Sequence, residues 1–120
     1  MGRHGTSMEI ITEAIGLHRL REMAVRRFGE MVKAVVDVEQ GIMVVDAELH
    51  ADEEEALLER GSAQENLWGI NLYPDMTGED WIEFDSMINL RPSQGNRSRG
   101  VDDLGIRRRI AEIVSRLVTR

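Results

Sequence analysis

Between Trp68 and Gly100 the chain gathers side chains suited to holding an anion: Asn71, Asn89, Arg91, Asn96, Arg97 and Arg99. Asparagine amides and arginine guanidinia are planar donors, and several of them converging beyond a sheet are what a carboxylate or phosphate requires. A second candidate is Glu48-Leu49-His50-Ala51-Asp52. If that segment is extended, Glu48, His50 and Asp52 project from one side, and a divalent metal accepts such a mixture of imidazole and carboxylate. Glu83 and Asp85 could complete that site, or form a carboxylate pair, which together would suit metal-assisted hydrolysis.

Each candidate has a plainer reading. Asp52 can equally cap a helix, with Glu55 three residues on completing a capping-box arrangement. Two acids on a wet sheet face need no function, and Ser86 lacks a base placed beside it by sequence, so a satisfied buried hydroxyl accounts for it. Asp102 and Asp103 occupy the positive end of the following helix, where a phosphate would otherwise sit, and they can bind the loop's own arginines. The loop then becomes a structural latch or a subunit contact. Arg107, Arg108, Arg109 and Arg116, with Arg97 and Arg99, form a basic surface, but it lacks aromatic stacking platforms.

The elements that position these groups follow from periodicity. Met8–Thr12 reads as a strand; Leu17, Leu20, Ala24 and Phe28, widened by Val25, mark an amphipathic helix closed by Gly29. Val32–Glu39 alternates, turns at Gln40-Gly41 and resumes through Ile42–His50, a hairpin followed by a helix over Glu53–Arg60 buried through Ala56, Leu57 and Leu58. Trp68, Ile70 and Leu72 alternate with Gly69, Asn71 and Tyr73, and Ile82, Phe84, Ile88 and Leu90 with Glu83, Asp85 and Asn89, which predicts a second hairpin. RPSQGNRSRG is a loop by composition, and Ile106, Ile110, Ile113 and Leu117 define a last helix. The predicted fold is α+β: a mostly antiparallel sheet of about five strands in β-α-β-β-α-β-β-α order, with helices on one face. Residues 8–120 make a single domain in this reading, and Met1–Ser7 a leader or disordered tail.

Composition narrows the function classes. Without cysteine there is no disulfide framework or thiolate metal site, and with neither a membrane-length apolar run nor a signal-peptide segment the chain reads as soluble and cytoplasmic. The formal net charge of −7 argues against a general nucleic-acid binder. Its distribution is polar: Asp46–Asp85 holds thirteen carboxylates against one arginine, a net of −12, and Arg91–Arg120 eight arginines against three carboxylates, a net of +5. Such poles suit intramolecular pairing or head-to-tail contact between subunits. G-x-G-x-x-G, Walker, nucleophile-elbow and H-E-x-x-H signatures are missing, and the sequence leaves any cofactor unknown.

The runs HADEEEALLERGSAQENLWGINLYP and WIEFDSMINLRPSQGNRSRG resemble a family of short prokaryotic proteins of unknown function, over Met8–Arg120. The resemblance implies a self-contained domain and supplies no activity or catalytic residue. The residues therefore favour a small binding or interaction protein, a homo-oligomer, whose Arg/Asn loop meets an anionic group on a ligand or neighbouring subunit. The competing expectation is a metal-assisted hydrolase built on His50 and nearby carboxylates.

Overall fold

The computed structural model describes residues 8–120, so the leader expected over residues 1–7 lies outside the described residues. Five strands form the main sheet: β1 (Glu9–Ile11), β3 (Val32–Asp37), β4 (Ile42–Val45), β5 (Leu67–Leu72) and β6 (Ile82–Glu83). Their spatial order is β1-β4-β3-β5-β6 with every neighbour antiparallel. A minor pair, β2 (Ile15–Gly16) and β7 (Val118–Thr119), runs parallel and ties the start of the first helix to the end of the last. Three α-helices complete the fold: α1 (Leu17–Arg27), α2 (His50–Glu59) and α3 (Leu104–Leu117). Among the described residues no helix is long and apolar enough to cross a membrane.

The α+β class, the antiparallel sheet and the element order agree with the sequence; the placement of one helix does not. Leu20, Met23 and Ala24 of α1 and Ile110, Ile113, Val114 and Leu117 of α3 share a core with Ala34, Val36, Met43, Val45, Trp68, Ile70 and Leu72. Leu57 of α2 packs instead with Val35, Ile42, Val44 and Leu67, the alternate residues of the same strands. Helices therefore cover both faces, not one. The reason is legible in β3, β4 and β5: Ala34-Val35-Val36, Ile42–Val45 and Leu67-Trp68 are apolar at consecutive positions, as strands buried on both sides must be.

Several boundaries also move. Val25 is 74% exposed and does not widen the α1 stripe, whose buried positions are Leu17, Leu20, Met23 and Ala24. β4 ends at Val45 because Asp46 adopts a left-handed backbone, φ 72°. There its carboxylate takes hydrogen bonds from Arg26 at 3.0 Å and Arg27 at 3.2 Å, which hold an otherwise unfavourable conformation. Helix α2 accordingly starts at His50, not Glu53, and Asp52 lies within its first turn with no capping hydrogen bond. The carboxylate that meets the incoming chain is Glu53, which accepts the Ala47 N–H at 3.1 Å. Asp103 caps α3 as expected, accepting the N–H groups of Gly105 and Ile106.

Candidate functional site

Helix α2 covers its face of the sheet only in part, and where it begins the face is left open. In the antiparallel register Lys33 of β3 lies opposite Asn71 of β5, and Asn71 lies opposite Glu83 of β6. Directly opposed residues project on the same side of a sheet, with neighbouring strands about 5 Å apart. A cation, an amide and a carboxylate therefore form one row across three strands. Around it lies a cleft of about 400 Å³, walled by His50 at the start of α2 and by the 85–88 segment with Arg99. Leu49 and Met87, 56% and 62% exposed, also line the cleft.

Asn71 is the most deeply placed polar group of the row, 6% exposed. Its Nδ2 donates to Glu83 Oε1 at 2.9 Å and to the Asp85 carbonyl at 3.3 Å. Those two acceptors fix the amide's orientation, because flipping it would set oxygen against oxygen. Its Oδ1 is buried and receives no hydrogen bond among the described residues. Burial without a donor is costly for such an atom, so it is a place where a ligand hydrogen bond would be strongly rewarded. Tyr73 donates to Glu83 Oε1 at 3.0 Å, and burial, then that carboxylate, raise the phenol above its ordinary value. Lys33 rests its ammonium over the Phe28 ring, 5.1 Å from the centroid, and makes no ion pair among the described residues.

His50 is buried, with Nε2 2.8 Å from the Ile70 carbonyl. A carbonyl only accepts, so Nε2 carries the proton and the neutral ring keeps a lone pair on Nδ1. Burial lowers its pKa from the usual value, opposed by the Ile70 bond. The Asn71 side chain lies close enough to favour the protonated ring, yet its Oδ1 receives no hydrogen bond of normal geometry. Gly69 makes this approach possible. A Cβ there would sit 2.5 Å from Ser86 Cβ and 3.2 Å from His50 Cδ2, so both side chains lie over bare backbone. Ser86, 1% exposed, accepts the Ile88 N–H at 3.3 Å and serves as the cap of a short 3₁₀ turn, in keeping with a structural hydroxyl.

The six anion-site candidates divide. Asn71 and Arg99 line the cleft. Asn89 is fully buried and clasps the backbone, accepting the Gly69 N–H at 2.8 Å and donating to the carbonyls of Gly69 and Arg99. Asn96 plays the same part inside the loop, donating to the carbonyls of Asn89, Ser98 and Gly100 and accepting the Asp102 N–H. Arg91 lies against the Trp68 ring, 4.5 Å from its centroid, and donates to the carbonyls of Gln64, Leu67 and Ile88. Arg97 is exposed and outside the cleft, and its backbone N–H is held by Asp102 at 2.9 Å. The latch reading thus describes Asn89, Arg91 and Asn96. Arg99 itself donates to Asp85 at 2.7 Å, the ion pair that joins the acidic and basic poles.

Glu48, His50 and Asp52 are not brought together. Glu48 lies in a bend before α2, Asp52 is exposed on its first turn, and His50 is turned inward to Ile70, because the strand that would have aligned them stops at Val45. Among the described residues no group of three His, Cys, Asp or Glu side chains is placed to hold a metal ion. Three of the four arginines of α3 are likewise engaged: Arg107 lies over Phe84, Arg109 donates to the Val38 carbonyl and Arg116 to that of Gly41. A cleft-lining residue that the sequence candidates did not include is Lys33. Its alternation with Val32 and Ala34 was visible, but its partnership with Asn71 depends on β3 pairing with β5, which periodicity does not specify.

A somewhat larger cleft, about 460 Å³, lies on the far side of Tyr73 and Glu83, lined also by Phe84, Asp102 and Arg107. Its Asp102 is spent on the Arg97 N–H and the Ser98 hydroxyl, and Arg107 on Phe84. It has no buried polar atom in want of a partner, so size alone does not make it the better site.

Residues 9–117 match the model of a family described as Protein of unknown function (DUF5674). No curated protein and no solved structure shows significant similarity to the chain.

Proposed function

Because the chain belongs to the DUF5674 family, whose description assigns no activity, we propose a function from the cleft itself: binding of a small molecule that carries an anionic group. Lys33 and Arg99 receive that group, and Asn71 fixes the ligand's orientation. One observation carries the reading. Asn71 is 94% buried (6% exposed), lines a cleft of about 400 Å³ and keeps an acceptor without a donor, the combination of enclosed volume and unspent polarity that ligand sites have. Arg99 is reoriented from the backbone-clasping role of its loop neighbours toward the cleft through Asp85.

Self-association belongs to the same proposal. Leu49 and Met87 leave apolar surface at the mouth of the cleft, and the exposed acids of α2 and the exposed Arg97 and Arg108 make no ion pair among the described residues. A second copy can cover the first and neutralise the second. The absence of cysteine fits a cytoplasmic setting.

The test is a thermal-shift titration of the full chain with a panel of small carboxylates and inorganic phosphate. Stabilisation by at least one member, lost in Lys33→Met and in Arg99→Gln, is the expected outcome. An equal shift in both variants would overturn the assignment of the anion to these two side chains.

A further inference from the structure

The cross-strand row has a polarity of its own. From β3 to β6 it reads ammonium (Lys33), amide oxygen (Asn71 Oδ1), carboxylate (Glu83). Successive strands are about 5 Å apart, so the charged ends are separated by roughly 10 Å at the backbone. What the row offers a ligand is a donor at one end and acceptors everywhere else. Glu83 spends only Oε1, on Asn71 and Tyr73, and is itself exposed. Asp85 spends Oδ1 on Arg99. His50, with Nε2 committed to Ile70, presents no further donor in its neutral form. A purely anionic ligand would satisfy Lys33 and then meet Asn71 Oδ1 and two carboxylates with nothing to donate. A purely cationic ligand would leave Lys33 unanswered.

From this inventory we infer that the cleft takes a small zwitterion, an amino acid in the broad sense, with its carboxylate toward Lys33 and its ammonium toward Asn71 Oδ1 and Glu83. This rests on the binding function proposed above and specifies its ligand class. An ammonium has three donors, enough for Asn71 Oδ1 and Glu83 with one remaining for Asp85 or water. The carboxylate meets Lys33. Leu49 and Met87 flank the methylene chain between the two charges. The ligand's length is set by the row. With the charged ends of the row roughly 10 Å apart at the backbone, a short carbon chain spans them, and a single carbon between the charges falls short.

Titration calorimetry of the full chain at neutral pH tests this directly, with glycine, β-alanine and γ-aminobutyrate as zwitterions and butyrate and butylamine as single-ended controls. γ-Aminobutyrate is expected to bind about tenfold or more tightly than either control. Lys33→Met should reduce it to the level of butylamine, and Glu83→Gln to that of butyrate. Circular dichroism and melting of both variants verify that they are folded. Because Lys33 is partly and Glu83 fully at the surface while Asn71 is buried, Asn71→Leu is the riskier change and serves only as a third check. Butyrate binding as tightly as γ-aminobutyrate would overturn the zwitterion while leaving the anion site standing. Failure of every probe, with the carboxylate panel also silent, would overturn both.

Discussion

Asn89 shows how a polar residue can be indispensable without touching a ligand. Its amide satisfies the buried N–H and carbonyl of Gly69 and also donates to the part-buried carbonyl of Arg99. Asn89→Ala strands the two Gly69 groups, while the Arg99 carbonyl keeps the Ser86 N–H, and urea unfolding should report a loss of about 3 kcal/mol; a loss under about 0.5 kcal/mol would mean that water replaces the amide. His50 behaves differently because it titrates. Burial lowers its folded pKa below the unfolded value of about 6.5, so between the two the unfolded chain binds more protons. Its contribution to stability is complete above about pH 6.5 and declines as pH falls through the folded pKa. An NMR titration of the imidazole should find its midpoint below the ordinary value, and a midpoint at or above that value would contradict a buried neutral ring. At this scale the sequence exposed the residue types but not their employment. Asn71, Asn89 and Asn96 look alike in a composition count, and only the folded chain distinguishes one amide with a free acceptor from two that are saturated.

At the scale of elements, the local signals were strong where chemistry is local. The αL glycines after α1 and α2, Gly29 at φ 95° and Gly61 at φ 102°, and the Asp103 cap of α3 follow from residue type alone. Asp103→Ala should cost about 1 kcal/mol by thermal or urea unfolding, and an unchanged midpoint would show that other groups cap the helix. The start of α2 was not legible, because Val45–His50 alternates apolar with polar as a strand would and the break comes from Asp46, whose left-handed turn is held by arginines from α1. That tertiary override displaced the metal triad and created the cleft. Gly69 is the corresponding feature in β5, where alternation suggested only a neutral gap in the polar face. Gly69→Ala places a methyl 2.5 Å from Ser86 Cβ. It should destabilise the chain by about 1 to 3 kcal/mol and shift the NMR signals of His50 and Ser86; an unperturbed His50 would show that the two are not packed over the same backbone.

For the whole molecule, the two-sided burial of the sheet governs where charge can go. Glu53 is fully buried beneath α2, one oxygen accepting the Ala47 N–H and the other without a partner. Burial raises its pKa well above the ordinary 4.5. The folded chain then binds more protons than the unfolded one above that value, so stability is greatest below about pH 4.5 for this group and falls as pH rises through its folded pKa. Glu53→Gln should flatten that decline, with higher stability than the parent at neutral pH; parallel pH–stability curves would contradict a raised Glu53 pKa. The charge poles were plain in the sequence, but their meeting was not: a single pair, Arg99–Asp85, joins them among the described residues, and Asp46 and Asp75 turn instead to arginines of α1. The excess acidic surface of α2 is what the proposed self-association would use. Sedimentation should therefore report an assembly that loosens as salt rises, and a monomer at every salt concentration would remove it.

The proposed binding takes place on the sheet face uncovered at the start of α2. Amide and side-chain NMR shifts of the full chain, followed during titration with γ-aminobutyrate and the carboxylate panel, locate it residue by residue. Perturbations centred on Lys33, His50, Asn71, Glu83 and Arg99 are expected. Perturbations confined to the 91–97 loop or to the cleft beyond Tyr73, or none at all, would contradict it.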